Sequence, residues 1–416
     1  MLVLVAGVAF SGGSSVDPPP PRGFPGVVPA FMAKSENPPA GGAKADRGLA
    51  AQAASRRDRR WLARARRLGP AAPRWARAMY RRSLLVLRAL VDRRGAAIAG
   101  ARSGWAYVWP RDAGAVAIAL ASAGYGADAR RIARFLLELD LDAAARFYRS
   151  GEPVEGRGAQ GDAAGWVAAA ARAAGMQPGR DIGVETRPAS GAPLGLGAGA
   201  WRDRADYQEG DAGDYLGNGL ATASVEIQGS AASHLSAPQI KREFETGRGL
   251  VRAAGDPASG LDSAAAWAVR PFARPVLYPA VRRTLLRLVA ERRTHFGLIP
   301  SEGWHGGDDP WTAPTAWCAW SLAALWRIDR RAGRRREAAT ERRAALGLMA
   351  DLRRAATPLG LLPERVDAQT GAPASTTPLA WSHAFAVLAI RELWPDARSP
   401  ASTASAPTPR PYAAVR

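Results

Sequence analysis

Cysteine occurs once in 416 residues, as Cys318, and histidine only four times. One cysteine excludes an intramolecular disulfide, and such a supply of Cys and His leaves no cluster at metal-ligand spacing. No cofactor and no transition-metal site is therefore expected, with only an oxygen-ligated Ca²⁺ left open. Lysine is equally scarce, at Lys34, Lys44 and Lys241, so arginine carries nearly all of the formal charge of +20. Such a charge raises nucleic acid as a partner. The arginine pairs (Arg56/Arg57, Arg81/Arg82, Arg130/Arg131, Arg282/Arg283, Arg353/Arg354) are spread along helical patterns, however, and no nucleic-acid motif is present. With Ala and Gly abundant as well, they read as the product of a high-GC coding bias and as solvated helix faces, and no nucleic-acid partner is expected. The body has no run long and apolar enough to span a bilayer, so no membrane partner is expected either. Strand-like alternation of apolar and polar residues is also rare.

What is present is a chain that is 47% hydrophobic and 23% charged, enough for one large core or two moderate ones. Residues 1–54 are rich in Pro, Gly and Ala and are expected to lack a fold of their own, as is the Pro/Ala/Ser tail over 398–416. The apolar opening "MLVLVAGVAF" has no basic segment before it and is short for a secretory signal, so a cytoplasmic location is expected and export stays open. The folded body is placed at 55–397.

Within that body the dominant period is helical. Ile132, Phe135, Leu136 and Leu139 fall at i, i+3, i+4, i+7, and Val281, Leu285, Leu288 and Val289 at i, i+4, i+7, i+8. Other segments, "GAVAIALASAG", "GWVAAAARAAG", "TAWCAWSLAALW" and "WSHAFAVLAIREL", are apolar around most of their circumference. Two layers follow, an inner set of buried helices and an outer set with one solvent face, and Cys318 becomes a small buried hydrophobe in the inner set. Polar loops rich in Gly, Pro and Trp precede the all-apolar helices. If those helices run in one direction, the loops converge at one end of the molecule.

Four such loops set charged residues beside indoles: "GWAYVWPRDAG" (104–114), "DYQEGDAGDYLGNG" (206–219), "EGWHGGDDPWTAPTAW" (302–317), and "LLPERVD" (361–367) with "PLAWSH" (378–383). Indole beside carboxylate and arginine suits a pyranose, whose C–H face stacks on the ring while charged groups take its hydroxyls in pairs. One loop of this kind is explained equally well as a core cap; four on one chain point to a site.

The motifs "YVWPRD", "GRGAQGDAAGW" (156–166), "DYQEGDAG", "LDSAAAW" (261–267), "WHGGDDPW" and "LLPERVD…TG…PLAWSHA", in that order, resemble glycoside hydrolase family 15, the glucoamylase-like inverting α-glucosidases. The resemblance extends over about residues 78–395. It implies an all-α fold, an (α/α)6 barrel of six helical hairpins, here without the β-sandwich that many bacterial relatives carry before it. It further implies exo-acting hydrolysis of α-glucans or α-glucosides, releasing β-glucose from the non-reducing end.

Carried across by motif, the resemblance makes Glu209 the catalytic acid and Glu364 the catalytic base. Arg111 and Asp112 would bind hydroxyls of the terminal sugar, Tyr107 and Trp109 would wall the pocket, and Trp304, Trp311 and Trp381 would line the sugar sites. Inversion needs two carboxyl groups roughly 6.5–9.5 Å apart, one protonated and one ionised, a gap that two separate loops can hold. Asp206, Asp211 and Asp214 near Glu209 would raise its pKa, and an inward-pointing Arg365 would keep Glu364 ionised. The chain departs from the family in two places. Gln208 stands where Trp usually precedes the acid, which leaves Glu302 as a rival to Glu209, and no arginine precedes the "GGDDPW" loop. The same barrel could also serve a trehalase or an α-1,6-glucan hydrolase, and a barrel that binds sugar without turnover is the reading from a different class.

Overall fold

The computed structural model describes residues 54–102, 104–156, 158–176, 215–222, 236–304 and 307–396. After a short helix over 54–62, the long elements are α1 (Arg74–Ala89), α2 (Pro110–Ser122), α3 (Gly126–Leu137), α4 (Ala163–Ala173), α5 (Leu216–Thr222) and α6 (Ala237–Phe244). They are followed by α7 (Tyr278–Glu291), α8 (Thr312–Arg331), α9 (Arg335–Ala355) and α10 (Ala380–Leu393). A 3₁₀ segment, Ser263–Ala268, interrupts the α series. The antiparallel pairs β1 (Val251–Ala253) with β2 (Asp256–Leu261) and β3 (Arg293–Thr294) with β4 (Gly297–Leu298) are short ribbons in connections.

Six segments make a closed inner ring. α2 packs on α4, α4 on α5, α5 on the 3₁₀ segment, that segment on α8, α8 on α10, and α10 back on α2. α1, α3, α6, α7 and α9 lie outside them, α1 against α10, α3 against α2 and α4, α6 against α5, α7 against the 3₁₀ segment and α8, and α9 against α8. This is the (α/α)6 barrel, with its six inner segments and five outer helices among the described residues.

The composition of the inner helices explains the closeness of the ring. A Cβ added to Gly165 of α4 would lie 2.3 Å from the Ala221 carbonyl oxygen on α5, and one added to Gly114 of α2 would lie 2.9 Å from the Trp166 carbonyl oxygen on α4. Alanines fill most of the remaining contact positions, so backbones approach where larger side chains would hold them apart. The space enclosed by the ring is filled by large rings instead. Trp166, Trp267, Trp317, Trp381 and Phe385, from four different inner segments, meet edge to face or tilted at centroid separations of 5.1 to 6.1 Å, the geometry that aromatic quadrupoles favour.

The outer helices show the expected period. Ile132, Phe135, Leu136, Val281, Leu285 and Leu288 are buried, and Val289 is half-buried. Cys318 is buried and free. One part of the arginine reading is corrected. Arg282 is not a solvated side chain; it bridges Asp329 of α8 and, at 2.6 Å, Glu341 of α9, both carboxylates being fully buried. A buried carboxylate needs a paired cation, and a helix period marks only the middle of a face, so an arginine at the margin can serve as that partner. No helix among the described residues is long and apolar enough to cross a membrane.

Because Trp166 touches Trp267 and Phe385 of this cluster and Phe272 beside it, Trp166→Ala should lower stability by about 3–5 kcal/mol, whereas Trp166→Phe should cost substantially less. The denaturant midpoint at unchanged m-value is the readout.

Candidate active site

The loops before the inner segments are stitched together by isolated backbone bridges: Gly100 with Leu379, Val108 with Phe147, Asp262 with Ser301, and Trp311 with both Leu298 and Arg365. The N-termini of α2, α8, α10 and the 3₁₀ segment therefore meet at one end of the ring. A cavity of about 300 Å³ opens there, lined among others by Trp105, Trp109, Arg111, Asp112, Glu364 and Trp381. Arg146 also lines it.

Glu364 is 5% exposed. Its backbone is held on both sides: its N–H donates to the Thr376 carbonyl oxygen at 2.9 Å, and its own carbonyl oxygen accepts from Thr312 N–H, the first residue of α8, at 3.0 Å. Its carboxylate accepts from Trp105 Nε1 at 3.1 Å and from the Ser375 hydroxyl. Burial pushes this carboxyl above its ordinary value, while the hydrogen bonds from Ser375 and Trp105 and the charges of Arg365 and Arg111 pull it down. The expected inward turn of Arg365 is not found; the side chain pairs with Asp309 at 3.3 Å and acts on Glu364 only at a distance.

The loop carrying Glu364 rests on a buried imidazole. Leu362 N–H donates to His383 Nε2 at 2.9 Å, so that nitrogen carries no proton, and Nδ1–H faces Ser83 Oγ at 2.9 Å. Burial, aided by the charge of Arg82, lowers His383 from 6.5 to about 3. The ring is neutral throughout the range in which a carboxylate base works.

Opposite Glu364 the charges are compensated. Arg111, 1% exposed, lies 3.4 Å from Asp162 Oδ2 and 3.6 Å from Asp112 Oδ2, with its guanidinium 4.5 Å from the Trp381 ring centroid. Pro110, at the first position of α2, directs this pair into the ring. Among the residues named from the sequence, the structure thus brings together Glu364, Arg111, Asp112, Trp109 and Trp381. Tyr107 is not among the residues facing the cavity; it is fully buried behind Trp109, edge-on to it at 6.0 Å and to Tyr148 at 5.7 Å. Alternation along the extended "YVW" segment sends Tyr107 and Trp109 to one side, and the bulk of Trp109 leaves Tyr107 in the layer below.

Trp304 and Trp311 form a separate edge-to-face pair at 5.2 Å, outside the cavity lining. Arg252 of β1 lies over Trp304 at 5.5 Å and over Tyr215 at 4.8 Å, and 3.7 Å from Asp262 Oδ2. Asp262 is fully buried, caps the 3₁₀ segment through Ala264 N–H at 2.6 Å, and is pushed up to about 6 by burial. Glu302 is engaged elsewhere: Arg248 pairs with it at 2.8 Å and Leu261 N–H donates to it at 2.9 Å. Its carboxylate is thus occupied away from the residues that line the cavity. Glu209, with Gln208, Asp206, Asp211 and Asp214, lies outside the described residues.

Trp105, Ser375, Asp162 and Arg146 were not singled out by sequence reasoning. Trp105 and Asp162 stand inside motifs that were recognised, so proximity to "YVWPRD" and "GDAAGW" was a usable signal. Ser375 and Arg146 carried none, since both reach the site through loop pairing alone.

No family model and no curated protein matches this chain. Solved structures do match in fold. A wild-type glycosidase is 20% identical, with a TM-score of 0.56 over 80% of this chain and 98% of its own. A bacterial glucoamylase complexed with acarbose is 18% identical at a TM-score of 0.56, over 76% of this chain and 55% of its own. The glucoamylase from Saccharomycopsis fibuligera is 13% identical at 0.56, over 77% of this chain and 94% of its own. The chain has the glucoamylase-type (α/α)6 fold.

His383 gives a pH signature. Its folded value lies below the ordinary 6.5, so the unfolded chain binds the extra proton. Stability is fully present above about 6.5 and is lost as pH falls toward about 3, by up to about 1.4 kcal/mol per pH unit. His383→Gln, which keeps an acceptor for Leu362 N–H, should flatten that part of the stability profile in denaturant titrations at a series of pH values.

Proposed function

We propose that this chain is an inverting, exo-acting glycoside hydrolase that releases β-glucose from the non-reducing end of α-glucans or α-glucosides. Glu364 is the general base and Glu209 the general acid. The observation that carries this reading is the Glu364 carboxylate, buried at the edge of an aromatic cavity and oriented by Trp105 and Ser375 across from the Arg111–Asp112 pair. Related folds recorded with glucose or acarbose support a sugar ligand.

In this mechanism the terminal sugar lies against Trp109 and Trp381, with Arg111 and Asp112 taking its hydroxyls. Each Glu364 oxygen accepts one side-chain hydrogen bond from the described residues, which leaves a further lone pair for water. A water poised on that lone pair loses its proton as it attacks the anomeric carbon. Glu209 gives a proton to the departing glycosidic oxygen from the opposite face. The commitment of Glu302 to Arg248 favours Glu209 for that role.

Glu364→Gln keeps the shape and the two hydrogen-bonding positions while removing the base. It should reduce kcat on maltotriose, isomaltose and trehalose by about 10²-fold or more, with binding retained. Parent-like turnover in that variant would remove Glu364 from the mechanism. Turnover absent in the parent too, with sugar still bound, would leave a binding barrel. NMR detection of the anomer first released from a panel of α-linked glucobioses reads linkage and inversion together.

Ser375 tunes the same group. A general base is active above its pKa, and the Ser375 hydroxyl favours the ionised form. Ser375→Ala should therefore move the acidic limb of the kcat/KM profile to higher pH.

A further inference from the structure

The ionisable groups lining the cavity differ in how far the protein has already answered their charge. Arg111 has Asp162 at 3.4 Å and Asp112 at 3.6 Å. Glu364 has Trp105 and Ser375. Among the described residues Arg146 has only rings: its guanidinium lies 4.6 Å from the Tyr107 centroid and 5.9 Å from that of Trp109. Among the described residues its buried Nε has no hydrogen-bond acceptor, and no carboxylate pairs with it.

This placement is not a loose surface accident. Phe147, the next residue, exchanges both backbone hydrogen bonds with Val108 at 2.8 Å, and the Arg146 carbonyl oxygen accepts from Val154 N–H at 3.0 Å. The backbone that carries Arg146 is thus clamped to the extended strand carrying Tyr107 and Trp109, and the side chain is delivered to the cavity wall. Arg146 is half-buried, and burying its Nε–H without an acceptor costs free energy. A neutral glucoside repays part of that cost through its hydroxyls; an oxyanion repays more, because it matches the charge and the planar donor fork together.

We propose that the cavity recognises a sugar bearing an oxyanion, a uronate carboxylate or a phosphate ester, and that Arg146 reads that group. The inference rests on the glycosidase reading above and narrows its substrate from neutral α-glucosides to anionic ones. Glu364 and Asp112, the lining carboxylates among the described residues, repel such a group and turn it toward the Trp109 wall where Arg146 stands. Specificity then has two parts. Arg111 and Asp112, already paired, hold hydroxyls, while Arg146 selects for charge.

Calorimetry with the full chain, using glucose, glucuronate and glucose 6-phosphate at low and high salt, tests this directly. The expected result is that one of the two anions binds about tenfold or more tightly than glucose, with the margin shrinking in high salt. Which anion wins distinguishes carboxylate from phosphate. In Arg146→Gln the ratio of anion to glucose affinity should collapse to about one, and Arg146→Lys should keep part of it. Glucose binding as tightly as both anions in the parent, or an anion preference that survives Arg146→Gln, overturns the proposal while leaving a neutral-sugar site intact. Binding of none of the three sugars overturns it together with the glycosidase reading.

Discussion

The close approach of the inner helices is the constraint on which the rest of this molecule depends. With backbone atoms of α4 and α5 too near to admit a Cβ at Gly165, the polar side chains that the ring wall does bury are ones such as Thr315, Ser321 and His383, each held by a hydrogen bond. The interior of the ring is filled by the aromatic cluster of Trp166, Trp267, Trp317, Trp381 and Phe385. Groups that do chemistry are displaced to the ends of the inner segments, where loops are long enough to carry them and helix N-termini offer unpaired N–H groups. Trp381 joins the two regions: one neighbour is Trp317 of the packed interior and another is the Arg111 guanidinium at the cavity.

The cavity then shows how a protein keeps ionisable groups both buried and usable. Glu364 is desolvated enough for its proton affinity to rise, yet two hydrogen bonds and two nearby arginines hold that rise in check. The neutral imidazole of His383 fixes the loop without adding charge beside it. A protonated histidine in the same place would lose the acceptor that Leu362 N–H uses. Arg111 is fixed by two carboxylates, and Glu302 is withdrawn from the site by Arg248. Arg146 stands apart because the described residues around it supply rings where the other groups have hydrogen-bonding partners.

Several features were legible before any coordinates. The 3.6-residue period of "RRIARFLL" and the unbroken apolarity of "TAWCAWSLAAL" separate outer from inner helices, because a helix with one wet face and a helix with none differ in composition. The chemistry of "YVWPRD" and "LLPERVD" marks Arg111, Asp112 and Glu364. Arg282 was misread, because an arginine at the edge of a face looks the same in sequence whether it meets water or the buried Asp329 and Glu341. Tyr107 was placed one layer too near the cavity for a related reason: in an extended segment Tyr107 and Trp109 share a side, and only the neighbours decide which one faces the opening.

The sequence by itself determined that the chain would build two layers of helices, where its loops would lie, and which carboxylate among many was a candidate reagent. These follow from local periodicity and from short motifs whose residues sit next to one another in the chain. The tertiary structure alone decided which side chains share the cavity and which charges are answered. Trp105 and Ser375 reach Glu364 across 259 and 11 residues, and Arg146 reaches the Trp109 wall through the pairing of Phe147 with Val108. Pairings of that kind leave no periodic trace, because they depend on where the closed ring brings the loops together.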